Sequence, residues 1–238
     1  MLQPNGATGQ RTAAPGGWPG LRCLSRVAPR VVRRLSLLVA FGLTACASPT
    51  PSFVDCSVFA DSRASLYVLP FAAGQKFIVS RTFGHYTPGN DGVGLYAIDF
   101  PMPMRTPVHA VRSGTVVAVE QRYSDDDRTE LHENWVMIRH SDRTVARYIH
   151  LTMMGALVRV GDSVRQGDVI GLSGNSGPSS EPHLHFDVQT CGPNLPPGLN
   201  RLPCGMTVPV SFRNTEAHAC GLTPRKSYAA LPFVADER

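Results

Sequence analysis

Residues 182–186 read Pro182-His183-Leu184-His185-Phe186, and this stretch decides how the rest of the chain is parsed. In a strand, side chains two apart point the same way, so His183 and His185 stand side by side while Leu184 and Phe186 turn toward a core. Outward from there, brief apolar runs are punctuated by Gly, Pro and Asp: YVLPF from Tyr67, then KFIVSRTF, LYAIDF, TPVHAV, GTVVAVE, NWVMIRH, TVARYIHL, ALVRV, VIGLSG and HLHFDV. Runs of that length and spacing predict an all-β domain. In Tyr96-Ala97-Ile98-Asp99-Phe100 the alternation buries Tyr96, Ile98 and Phe100 and leaves Asp99 on the opposite face. Tyr148-Ile149-His150-Leu151 places a further histidine within a β-like run.

The chain has 238 residues, enough for one or two domains with a proper core. Apolar residues make up 42% and charged residues 17%, while 22 Gly and 20 Pro demand many turns. A coiled coil or helical bundle is excluded on that composition. The formal charge of +5 belongs to the N-terminus: six of the 23 basic residues and none of the 18 acidic ones fall in the first 45 positions. The remainder, 17 basic against 18 acidic, gives no reason to expect a nucleic-acid partner.

Arg30, Arg33 and Arg34 precede an apolar stretch of 11 residues, 35–45, which is the pattern of a signal peptide. The stretch is too short to cross a bilayer, which takes about 20 residues. Leu43-Thr44-Ala45-Cys46 resembles the lipobox of bacterial lipoproteins. That resemblance implies lipidation of Cys46 and a membrane anchor, and Ala47 in place of Asp favours the outer membrane. Residues 1–45 are thus expected to be leader, 46–65 linker, 66–190 the working domain and 191–238 a loop-rich C-terminal extension. Cys56, Cys191, Cys204 and Cys220 form an even set in an oxidising compartment, consistent with two disulfides in any of three connectivities. Pairing Cys191 with Cys204 and Cys56 with Cys220 would staple the C-terminal loop and tie the two ends together. Residues 124–134, SDDDRTELHEN, are expected to form an exposed hairpin loop, without the ligand spacing of an EF-hand.

YAIDF, RTPVHAVRSGTVVAV, NWVMIRHSDRTVARYIHL and VRVGDSVRQGDVIGLSGNSGPSSEPHLHFDV, in that order between about Phe83 and Val188, closely resemble the lysostaphin-type (LytM-like) zinc endopeptidases that cut bacterial peptidoglycan. The resemblance implies zinc bound by Asp99 and His185, with His183 and His150 as unliganded histidines lining the site. The family often has a histidine four residues before the aspartate, where this chain has Leu95. His85, fourteen positions before Asp99, is assigned as the third ligand, with TPGNDGVG as the tight return between them. Such a site would activate a water molecule, and His150 or His183 would carry the proton that a glutamate handles in other metallopeptidases. The loop at 173–182, SGNSGPSSEP, is implied as one wall of the substrate groove; His109, His132, His140 and His218 are left as structural or exposed.

VRVGDSVRQGDVIG also has the turn-rich pattern of biotinyl and lipoyl carrier domains, but no lysine for modification lies between Phe77 and Lys226. That likeness points instead to architecture, a barrel-sandwich hybrid of the duplicated hybrid motif kind built on an antiparallel sheet. The implied protein is a monomeric hydrolase acting on peptidoglycan peptides from the periplasmic side of a bacterial envelope. The competing expectation, for which Leu95 speaks, is a degenerate, non-catalytic relative that binds cell wall and activates a separate hydrolase.

Overall fold

Strands account for nearly all regular structure in the computed structural model, which describes residues 55–82, 94–190 and 205–236. The leader, Cys46, His85, Cys191 and Cys204 lie outside the described residues. In chain order the strands are β1 (Lys76–Ile78), β2 (Arg81–Thr82), β3 (Ile98–Pro101), β4 (Pro107–His109), β5 (Gly114–Glu120), β6 (Trp135–Arg139), β7 (Thr144–Ile149), β8 (Leu151–Ala156), β9 (Ser163–Val164), β10 (Val169–Ser173), β11 (His183–Thr190), β12 (Met206–Thr207) and β13 (Ser227–Ala229). They follow the apolar runs because β-branched and aromatic side chains fill a pleated surface well. Two single 3-10 turns, Cys56–Val58 and Ser62–Ala64, precede them, each capped by an aspartate, Asp55 and Asp61, that accepts from a backbone N–H two residues on.

The main sheet runs β2-β3-β11-β7-β6-β5-β9, with β12 beside β11; β4-β10-β8 forms a second sheet and β1-β13 a third. Every strand pairing is antiparallel. The fold is therefore all-β on antiparallel sheets. One face of the main sheet carries Ile98, Phe100, Val116, Val136, Ile138, Tyr148, Leu184, Phe186 and Val188 into the larger core. The other face holds a smaller apolar cluster, Ala118, Trp135, Met137, Val145 and Ile149. This second face also carries the chemistry, since residues 183 and 185 alternate with the core positions 184 and 186.

The C-terminal segment contributes more than a covering loop. Val210, Phe212, Leu222 and Tyr228 are buried in the larger core, and Asn214 accepts the Leu69 N–H at 2.7 Å. Its lack of periodicity reflects isolated anchoring residues that insert between strands made elsewhere in the chain. Cys56 is bonded to Cys220 across 164 residues, which is the end-to-end tie expected from the sequence.

His140 shows how one residue of this frame responds to acid. It follows β6, is 3% exposed, donates from Nδ1 to the Ser113 carbonyl at 2.9 Å, and has no partner at Nε2 among the described residues. Burial, with help from the nearby Arg112 charge and against Asp142 and Asp236, lowers its pKa to about 4. Between the ordinary value near 6.5 and about 4 the unfolded chain takes a proton that the folded one refuses. Stability from this residue is therefore complete above that window and is lost as pH falls through it, by up to roughly 3 kcal/mol. His140→Asn keeps a donor for Ser113 and removes the titration. Its melting temperature should fall less than the parent's between pH 7 and pH 4.5, and parallel curves would refute this account.

Candidate metal centre

The register of the central strands assembles the site. His185 of β11 lies directly opposite Asp99 of β3 and, on its other side, Ile149 of β7. Cross-strand partners share a face, so the two polar side chains meet although 86 residues separate them. His185 Nδ1 lies 3.1 Å from Asp99 Oδ1, and His183 Nε2 lies 3.7 Å from the same oxygen. Asp99 is only 7% exposed; the face that the sequence left open is covered.

His150 joins them through an unusual backbone. Ile149 shares the His185 face, so regular alternation would turn His150 to the opposite side. His150 instead has φ of +63°, in the left-handed region that non-glycine residues seldom occupy, and the chain breaks there between β7 and β8. Its ring then sits 4.6 Å from that of His183 and 5.9 Å from that of His185, centroid to centroid. Nδ1 of His150 donates to the Ser176 carbonyl at 2.7 Å, and Nδ1 of His183 donates to the Glu181 carbonyl at 2.8 Å. All four described residues that the resemblance assigned to the site are thus together. His109, His132, His140 and His218 are not among the residues lining its cleft.

The four lie in a cleft of about 230 Å³ whose rim includes Arg81, Ser179 and Glu181. The loop at 173–182 forms its wall and is fastened in place. Ser176 Oγ donates to the Leu151 carbonyl at 2.8 Å and accepts the Asn134 N–H at 2.9 Å. A Cβ on Gly174 would stand 2.2 Å from the Thr152 nitrogen, so only glycine permits that approach. The charged segment at 124–134 connects β5 to β6 as expected, but it is more than an exposed loop. Asp125 accepts the Asn175 N–H at 2.8 Å, Arg128 donates to the Asn175 carbonyl at 2.7 Å, and the Asp127 carbonyl accepts the Gly177 N–H at 2.8 Å. The Asp125 carboxylate, the Arg128 guanidinium and the Asp127 carbonyl together brace the groove wall.

Two histidines of the cluster are driven in opposite directions. Burial, reinforced by the neighbouring His183 and His185, pushes His150 down to about 3, so it is neutral at pH 7. Burial also disfavours charge on His185, but hydrogen bonds to Asp187 and Asp99 outweigh it and raise the pKa to about 9.

Asp187 and Arg147 were missed by the sequence reading. Asp187 lies two residues after His185 and faces the same way, with Oδ2 at 3.3 Å from His185 Nε2. Arg147, its cross-strand partner on β7, donates through Nε to Asp187 Oδ1 at 2.8 Å. Burial of Asp187 is overcome by Arg147 and His185, which hold its carboxyl below the usual range. The available signal was the period-2 pattern itself, which continues from 183 and 185 to 187.

The donor set suits zinc. Two ligands of one tetrahedral ion with bonds of about 2.0–2.1 Å are roughly 3.3 Å apart, close to the 3.1 Å between Asp99 Oδ1 and His185 Nδ1. Among the described residues no third His, Cys, Asp or Glu completes a three-ligand set with them. His85, the expected third ligand, lies outside those residues.

Part of this chain is similar to known proteins. The model of peptidase family M23 matches residues 94–197. The peptidoglycan DD-endopeptidase ShyA of Vibrio cholerae is 35% identical over 112 residues, 47% of this chain and 24% of that protein. Lysostaphin of Staphylococcus simulans is 39% identical over 105 residues, 44% of this chain and 20% of that protein. The matches thus span about a quarter of the length of such relatives. The crystallised catalytic domain of lysostaphin from Staphylococcus simulans aligns over 55% of this chain and 86% of its own, with 28% identity and a TM-score of 0.40. Residues 94–197 are thus similar to peptidase family M23.

Proposed function

We propose that this protein is a zinc-dependent endopeptidase that hydrolyses peptide bonds of peptidoglycan. The observation that carries the reading is the 3.1 Å approach of Asp99 Oδ1 to His185 Nδ1 in a cleft shared with two further imidazoles. Relatives named for cutting peptidoglycan support it, ShyA among them.

Zinc held by Asp99, His185 and His85 would supply a water molecule with a pKa near 7 and polarise the scissile carbonyl. The chain's own residues do the rest. His150, neutral and locked by Ser176, offers Nε2 as a fixed acceptor that orients the attacking water. His183, tied through Nδ1 to Glu181 and with its side chain 12% exposed, is the imidazole that exchanges a proton with the leaving amine. The loop at 173–182 excludes water from one side of the bound peptide, and Arg81 at the rim suits a substrate bearing carboxylates.

Residues 1–45 would act as leader, Cys46 as a lipidated anchor and 46–65 as a linker. The 66–190 domain and the 191–238 extension would then work as a monomer on the periplasmic side of the envelope, at the outer membrane.

The test uses the exported chain on defined cross-linked muropeptides, with metal content measured in parallel. About one zinc per chain is expected, with peptide cleavage abolished by chelator and restored by zinc. Metal-free protein that binds sacculi without cutting them would replace this reading with the non-catalytic one.

A further inference from the structure

We propose that Asp187, clamped by Arg147, is a positioning residue that decides which nitrogen of His185 meets the metal; this rests on the zinc reading above. Imidazole binds a metal only through a nitrogen that carries no proton, and the partner of the other nitrogen sets which one that is. Asp187 Oδ2 stands 3.3 Å from Nε2 of His185, so when the ring gives up one proton to bind a metal ion the remaining proton is held there. Nδ1 is then the nitrogen that offers its lone pair, on the side where Asp99 Oδ1 lies at 3.1 Å. Without that acceptor the ring could carry its proton on Nδ1 and turn the wrong atom to the ion.

Arg147 completes the device. Its Nε reaches Asp187 Oδ1 and its Nη2 reaches Oδ2, a fork that fixes the plane of the carboxylate as a lysine could not. The two side chains are 5% and 0% exposed. Stability alone gives little reason for such a pair, since apolar side chains of similar volume are often neutral or better at a sealed site. Apolar side chains cannot accept the His185 proton, and that is the task assigned here. The strand register supplies the geometry: β11 sends 185 and 187 to one face, and β7 sets Arg147 across from 187.

Two variants test this on the full exported chain. Asp187→Asn removes the charge but strands Arg147. The double variant Arg147→Met with Asp187→Leu removes both charges and keeps the volume filled. Zinc affinity is read by competition with a colorimetric chelator, ligand geometry by the visible absorption of cobalt-loaded protein, and fold by melting temperature. Both variants should bind zinc about 10–100-fold more weakly and show an altered cobalt spectrum, with the double variant melting close to the parent. A double variant with parental zinc affinity and cobalt spectrum overturns the proposal, as does one that loses its fold, because the pair would then be a stability element. A parent chain that binds no zinc is a different failure, that of the metal reading itself.

Discussion

His185→Ala is expected to lower zinc content from about one per chain to under about a tenth. Cleavage of cross-linked muropeptides should fall by at least ~10³-fold, since metal activation is worth several kcal/mol and each 1.4 kcal/mol is tenfold in rate. The size of the effect follows from geometry. His185 sits between Asp99 and Asp187, so its loss removes one donor of the cluster and the group that Asp187 orients. Fold should survive, because Asp187 keeps Arg147 as partner and the core residues Leu184 and Phe186 face the other way. Melting temperature and metal content measured on one sample separate the two effects. Undiminished zinc in a folded variant would strike His185 from the ligand set and take the hydrolytic mechanism with it.

The second large effect concerns the Cys56–Cys220 bond. Its 164-residue separation makes it an effective constraint on the unfolded chain. The chain-entropy relation gives about 5 kcal/mol for a loop of that size, with native disulfides generally worth 2–5. Replacing both cysteines by serine should therefore lower the melting temperature by about 10 °C, given roughly 2–4 °C per kcal/mol for a domain of this size. Calorimetry in the absence of reductant checks it, and reduction of the parent should reproduce the shift. An unchanged transition would mean that the tail docks equally well without the bond. Neither cysteine lines the cleft, so cleavage at 25 °C should persist in whatever fraction stays folded.

The strands were legible because their signal is local: each apolar run in the sequence needs only its own alternation to be read. The pair His183 and His185 was legible for the same reason, and Asp99 entered through the family resemblance. What escaped depended on register. Nothing near Arg147 in the chain announces that it faces Asp187, 40 residues away, and an arginine in a strand ordinarily reads as exposed. His150 was identified as a site residue, yet its left-handed backbone has no sequence signature, because glycine, the usual residue there, is absent. The tail was the least readable part because Phe212 and Tyr228 act singly, as plugs in a core built from distant strands. The acidic loop looked solvated by composition, whereas the carboxylate of Asp125 is spent on Asn175 and Thr152.

The pairing of β3 with β11 carries one more implication. A shift of either strand by a single position would send Asp99 and His185 to opposite faces and would also turn Ile98 and Phe100, or Leu184 and Phe186, out of the core. One register thus serves both faces: a chain that buries these apolar side chains has at the same stroke drawn Asp99 beside His185, so the centre needs no separate assembly step.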